Sequence, residues 1–178
     1  ISHCNYTQLW VRNNMFFQRI TKCDAPSVAA VALVDEYVIG LSSSHLIPGK
    51  KNSLIRFEQI KSLKKCFPCG MAFVMAGDFN MRKSEDKPVE ERLGLVDAWK
   101  AGESRQNHMY TWNSFSNQYH GPEAFKFRCR FDRIFINRGS ITSRPPNPTM
   151  AKVDFKLVAN KPLIMREGGK CCKFHLSD

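Results

Sequence analysis

Met71-Ala72-Phe73-Val74-Met75-Ala76-Gly77-Asp78-Phe79-Asn80 is the stretch from which this chain is best read. Its first six residues form an apolar run with the length and composition of a buried strand. Gly77 then turns the chain, so a carboxylate and a carboxamide, Asp78 and Asn80, emerge together at the strand's end. Loops at strand ends are where a rigid scaffold usually carries chemistry. An ionised carboxylate only accepts hydrogen bonds, whereas a carboxamide both donates and accepts. The pair suits a site that binds a cation or activates water while holding a phosphate oxygen. Taken alone, Gly-Asp-x-Asn reads first as a strand followed by an Asx-stabilised turn. The rest of the chain shifts that balance.

Upstream, Val28 to Val34 and Tyr37 to Leu41 are apolar and β-branched, with Asp35-Glu36 between them, and predict a hairpin. Ser44-His45-Leu46 leaves the second strand, and Pro48-Gly49 marks a turn. Asn52 or Ser53 can cap a helix running to about Cys66, with Leu54, Ile55, Ile60 and Leu63 facing the core and Lys50, Lys51, Lys61, Lys64 and Lys65 in solvent. Pro68 stops it. Downstream, Leu93 to Trp99 reads as a short helical or turn segment, Tyr110 to Trp112 and Arg128 to Asn137 as strands, and 139 to 150, with its prolines, as a loop.

At 178 residues, 43% of them apolar, the chain is long enough for one packed domain and too apolar for wholesale disorder. The formal net charge of +11 favours polyanionic partners such as nucleic acid. No apolar run reaches the roughly 18 residues of a membrane span. The seven cysteines, an odd number with Cys171 and Cys172 adjacent, make a poor disulfide framework. Cys66-Phe67-Pro68-Cys69 has no second pair at zinc spacing and reads as a helix end carrying two thiols.

A second constellation is Arg130-Phe131-Asp132-Arg133-Ile134-Phe135-Ile136. An acid deep in an apolar strand is costly unless it is paired or belongs to a site. It is expected to form a buried Arg–Asp pair, or to orient a histidine and stabilise its charged form. His45, at another strand's end, is a candidate phosphate contact.

In order, Ser44-His45-Leu46, Gly77-Asp78-Phe79-Asn80-Met81-Arg82, Val96-Asp97-Ala98-Trp99, Tyr110-Thr111-Trp112-Asn113, Arg130-Phe131-Asp132-Arg133-Ile134-Phe135 and Leu176-Ser177-Asp178 resemble the endonuclease/exonuclease/phosphatase (DNase I-like) superfamily, within it most of all the 5′-tyrosyl-DNA phosphodiesterases. The resemblance covers nearly the whole chain. It implies an α/β fold, a four-layer sandwich of two mixed β-sheets flanked by helices. It implies Mg²⁺-dependent (Mn²⁺ is an alternative) hydrolysis of the bond between a DNA 5′ end and a tyrosine of a trapped topoisomerase, in nuclear DNA repair. Carried over residue by residue, Asp78 and Asn80 match the catalytic pair that handles water and scissile phosphate. His45 matches a phosphate contact, and Asp132 the acid that orients a catalytic histidine. Arg82, Trp112 and Arg130 match positions at the DNA. Asp78 and Asp178 match acids near the metal.

The departures set further expectations. The family's site draws an asparagine and a metal-binding glutamate from two core strands, and Asn5 to Val11 resembles the strand that follows them. The chain also stops at Asp178, before the family's histidine, and Ser44-His45-Leu46-Ile47-Pro48 lacks one acid and one hydroxyl of the family pattern. Residues 1–178 are therefore expected to be the central and C-terminal portion of a domain, with an exposed apolar sheet edge or face and no activity alone. His45, Asp78, Asn80, Asp132 and Asp178 are expected to converge on one cleft. The alternatives are another nuclease or phosphatase of the superfamily, such as a deadenylase, and a catalytically dead, basic nucleic-acid-binding module.

Overall fold

The computed structural model describes residues 8–9, 16–20, 26–34, 37–101, 109–116, 125–137, 163–167 and 170–174. Strand β1 (Phe16–Ile20) pairs antiparallel with β2 (Ser27–Val34), and β2 with β3 (Tyr37–His45). The expected hairpin is there, and its second strand runs on to His45. A 3₁₀ turn (Lys50–Asn52) and helix α1 (Ser53–Lys65) then cross over to β4 (Ala72–Asp78), parallel to β3. Helix α2 (Lys83–Leu93), β5 (Leu95–Asp97) and α3 (Ala98–Ala101) follow. Strands β6 (Trp112–Asn113) and β7 (Arg128–Cys129) form a two-stranded ribbon. Strand β8 (Asp132–Asn137) lies between β4 and β5, antiparallel to both. Strands β9 (Leu163–Glu167) and β10 (Lys170–Phe174) make a separate ribbon.

The result is a mixed six-stranded sheet, β1-β2-β3-β4-β8-β5, flanked by helices. The α/β class is as the sequence indicates. Among the described residues the sandwich is represented by this one large sheet and two small ribbons.

Alternation along β4 and β8 puts Phe73, Met75 and Phe135 on the buried face, against Ile60 and Leu63 of α1 and Val89 and Leu93 of α2. Burying such side chains contributes about 1.5–3 kcal/mol each. Gly40 is needed here, because a Cβ would run into the Phe67 ring, which stacks on Phe73 with centroids 4.9 Å apart. The opposite face, carrying Leu41, Val74, Ile134 and Ile136, is also apolar but only part-covered, and Ile134 is 37% exposed.

Several features depart from the sequence reading. Leu95–Asp97, read as part of a helical or turn segment, is a strand that pairs with β8, and the single strand read over Arg128 to Asn137 is split into β7 and β8, which belong to different sheets. In α1, Leu54 and Ile55 are exposed, while Arg56 joins Ile60 and Leu63 in the interior. Residues 83–93, which carry Pro88 and alternating charges, are a helix that hydrophobic periodicity does not announce. Cys66 caps the end of α1 and its thiol donates to the Ser62 carbonyl, as expected of an ordinary helix end. Asn5–Val11, apart from Gln8 and Leu9, and 139–150 lie outside the described residues.

Candidate functional site

The site forms where β3 and β4 end side by side. Their parallel register sets His45 beside Asp78, and the antiparallel register of β8 sets Asp132 opposite Asp78. His45 Nε2 lies 3.6 Å from Asp78 Oδ2, each side chain 35% exposed. Three residues more than 30 positions apart thus meet because three central strands terminate together.

Gly77 makes the close approach possible. Its φ of +134° is disfavoured for other residues, and a Cβ there would collide with the Ser44 carbonyl oxygen. Beyond it the chain is pinned on both sides. The Leu46 N–H donates to the Asp78 carbonyl at 2.9 Å, and the Phe79 N–H to the Phe131 carbonyl at 2.9 Å. Asn80 adopts φ +50°, a left-handed conformation that asparagine tolerates. Its N–H donates to Asp78 Oδ1 at 2.8 Å, which closes the Asx turn and fixes the carboxylate.

The Asp78 carboxyl titrates above its ordinary value of 3.8. Burial is the main cause, and the facing Asp132 adds to it; the Asn80 N–H, His45 and Arg82 oppose the shift. Two carboxylates across a strand pair repel each other, and a proton or a positive charge between them relieves the repulsion.

The remaining predicted residues divide. The Asn80 side chain faces inward, with Nδ2 donating to the Leu46 carbonyl at 2.9 Å. It holds the β3 and β4 ends together. Arg82 lies over the Phe131 ring at 4.4 Å and donates to the Asn80 carbonyl at 3.1 Å. Trp112 is half-buried, stacked on Phe127 with centroids 5.9 Å apart. Asp178 lies outside the described residues.

Arg130 is a correction. It was expected at the DNA, yet it is buried, lies 2.7 Å from Asp97 Oδ2 and covers the Trp99 ring at 4.6 Å. The buried Arg–Asp pairing is a correction too. Its acid is Asp97, which also takes Arg133 at 2.8 Å, while Asp132 is exposed. The β5–β8 register brings Asp97 under both arginines, and local sequence does not encode that register.

Two supports went unread in the sequence. Arg56 and Glu85 form a buried two-pronged ion pair, and Glu85 Oε1 also accepts from the Arg82 N–H at 2.9 Å, which anchors the loop after Asn80. Thr111 Oγ1 accepts from both the Phe131 and the Asp132 N–H at 3.0 Å. The only local signal for either was a polar residue beside a motif.

Among the described residues, no group of three or more His, Cys, Asp or Glu side chains is placed to hold a metal ion. A magnesium ion demands several oxygens in near-octahedral geometry. The described residues, Asp78 included, therefore do not by themselves fit the expected Mg²⁺.

No protein-family model matches the chain. Tyrosyl-DNA phosphodiesterase 2 of Danio rerio is 32% identical over 112 residues, covering 61% of this chain and 30% of that protein. The crystal structure of the Danio rerio enzyme with a single-strand DNA product matches at a TM-score of 0.59 and 26% identity, over 73% of this chain and 54% of that one. The Staphylococcus aureus beta toxin, 19% identical, shares the fold at a TM-score of 0.55 over 85% of this chain and 54% of its own. The chain thus spans less than a third of the curated relative and about half of the solved ones. In sequence it is similar to tyrosyl-DNA phosphodiesterase 2, and in fold it is similar to these DNase I-like neighbours.

Proposed function

We propose that this chain carries the phosphate-facing part of a DNA-repair phosphodiesterase that hydrolyses 5′-phosphotyrosyl bonds between DNA and a trapped topoisomerase in the nucleus. The observation that carries the reading is the meeting of His45 and Asp78 at 3.6 Å, with Asp132 in register opposite. His45 can donate to a phosphate oxygen, and Asp78 can orient an attacking water as its proton is withdrawn. Tyrosine is a better leaving group than an aliphatic alcohol, so a phosphotyrosyl ester suits a site that activates water. Arg82 and Trp112 would line the DNA end. The reading includes a divalent cation, Mg²⁺ or Mn²⁺, whose ligands the described residues do not complete.

The experiment is release of a 5′-phosphate end from a 5′-phosphotyrosyl oligonucleotide by the full-length protein carrying this sequence, run beside Asp78→Ala. Turnover lost in the variant supports the reading. Turnover of a 3′ adenosine tail instead would assign a deadenylase, and DNA binding without turnover a binding module. Residues 1–178 alone are expected to show no turnover above the Asp78→Ala control.

A further inference from the structure

The break between β7 and β8 falls at Arg130 and Phe131, immediately before Asp132. Pairing with β4 reaches Asp132, opposite Asp78, but pairing with β5 stops at Phe135. Among the described residues, the side of β8 that faces away from β4 therefore has no neighbouring strand at Asp132. A backbone N–H there needs another acceptor. Thr111 supplies it: its Oγ1 accepts from the Phe131 N–H and from the Asp132 N–H, each at 3.0 Å. Thr111 is itself fixed, since its own N–H donates to the Cys129 carbonyl at 3.1 Å, beside the Trp112–Cys129 pair of the ribbon. The same corner is tied on its other sides by the Phe79 N–H, which donates to the Phe131 carbonyl at 2.9 Å, and by Arg133 Nε, which donates to the Arg130 carbonyl at 2.7 Å. One hydroxyl thus takes the place of a strand.

We infer that Thr111 is a positioning residue: its hydroxyl, through the Phe131 and Asp132 N–H groups, holds Asp132 across from Asp78. The Asp132 side chain is exposed, so little packing holds it, and its place is set by its backbone. A group displaced by about 1 Å can cost a reaction about a hundredfold in rate. Serine keeps the accepting oxygen, whereas valine has the shape of threonine and offers no acceptor. The inference deepens the phosphodiesterase reading and rests on it for the reaction that the two carboxylates serve.

The test is kcat and KM of the full-length protein on a 5′-phosphotyrosyl oligonucleotide, with amide hydrogen exchange at Phe131 and Asp132 followed on the same samples. Thr111→Val is expected to lower kcat about ten- to a hundredfold, to leave KM unchanged and to speed exchange at both amides. Thr111→Ser should match wild type in all three. Thr111→Ala, in which a water can meet the two N–H groups, is run beside Thr111→Val so that a folded variant is measured, and its changes should be smaller and of the same sign. Adding Thr111→Val to Asp132→Ala should lower kcat no further, because a residue that acts through Asp132 then has nothing left to position. Unchanged kcat or unchanged exchange in Thr111→Val overturns the inference. So does the same fold-loss with and without the Asp132 carboxylate, which would make Thr111 a general support of the ribbon. A wild type without turnover, in which Thr111 still governs exchange at Phe131 and Asp132, would keep the hold on Asp132 and remove the phosphodiesterase reading. Turnover that Thr111→Val leaves intact would do the reverse.

Discussion

Arg56 and Glu85, 29 positions apart, meet in the interior as a two-pronged ion pair, with Nε donating to Oε2 at 2.9 Å and Nη2 to Oε1 at 2.7 Å. Arg56 Nη1 also donates to the Ile47 and Gly49 carbonyls at 3.0 and 2.7 Å. One guanidinium therefore ties α1, α2 and the loop after His45 into one body. Removing one partner of a buried pair leaves the other charge uncompensated, at a cost of about 3–5 kcal/mol. Arg56→Met should lower unfolding stability by that order in a urea titration. Arg56→Met combined with Glu85→Gln should recover part of the loss, because the orphaned carboxylate is gone.

Gly77→Ala should be among the most disruptive small substitutions in the chain. The backbone strain alone is of the order of 1–3 kcal/mol, and the new methyl meets the Ser44 backbone. A lowered Tm together with loss of the His45–Asp78 contact is expected. Gly94→Ala, also at positive φ but with open space around it, should cost less. Thermal unfolding of the two variants side by side checks the difference.

Asp78 makes stability depend on pH in a definite direction. Its carboxyl titrates higher in the folded chain than the ordinary 3.8, so the folded state holds its proton more tightly than the unfolded state does. Below 3.8 both states are protonated and the stability associated with that proton is fully present. It is lost as pH rises through the raised folded value. Asp78→Asn should therefore raise Tm at neutral pH and bring no gain below 3.8. A Tm–pH series on both proteins gives the answer, and a gain that grows on acidification would reverse the assignment.

Trp112 sits between Phe127 and Phe131 at the edge of the site. On the proposed function, Trp112→Ala should cut kcat/KM on a single-stranded or frayed 5′ end more than on blunt duplex, and more than it weakens general DNA affinity. A stacked base contributes roughly 1–3 kcal/mol. Equal losses on both ends would mean that the ring only packs.

The sequence by itself determined the parts whose physics is local. An apolar run ending in Gly77-Asp78-x-Asn80 specifies a buried strand and an Asx turn, because only glycine accepts that φ and only a short polar side chain closes that turn. The β2–β3 hairpin follows from its two apolar, β-branched runs, and the body of α1 from the spacing of Ile60 and Leu63 ahead of Pro68, although Asn52 makes no side-chain cap there and donates to the Pro48 carbonyl instead. The ordered motifs also carry the resemblance to the superfamily.

Tertiary structure decided which charges are buried and with whom. Helix α2 was hidden because Pro88 and a charged sequence mask its periodicity, and the helix is held by Glu85 and Asp86 reaching Arg56 and Arg133 across the chain. Leu54 lies in solvent and Arg56 in the core because an ion pair 29 residues away outweighs the apolar pattern of one helix. Asp97, not Asp132, neutralises Arg130 and Arg133, which leaves Asp132 facing Asp78. Each of these outcomes depends on strand register and long-range pairing. Those energies arise between segments distant in sequence, and no local pattern carries them.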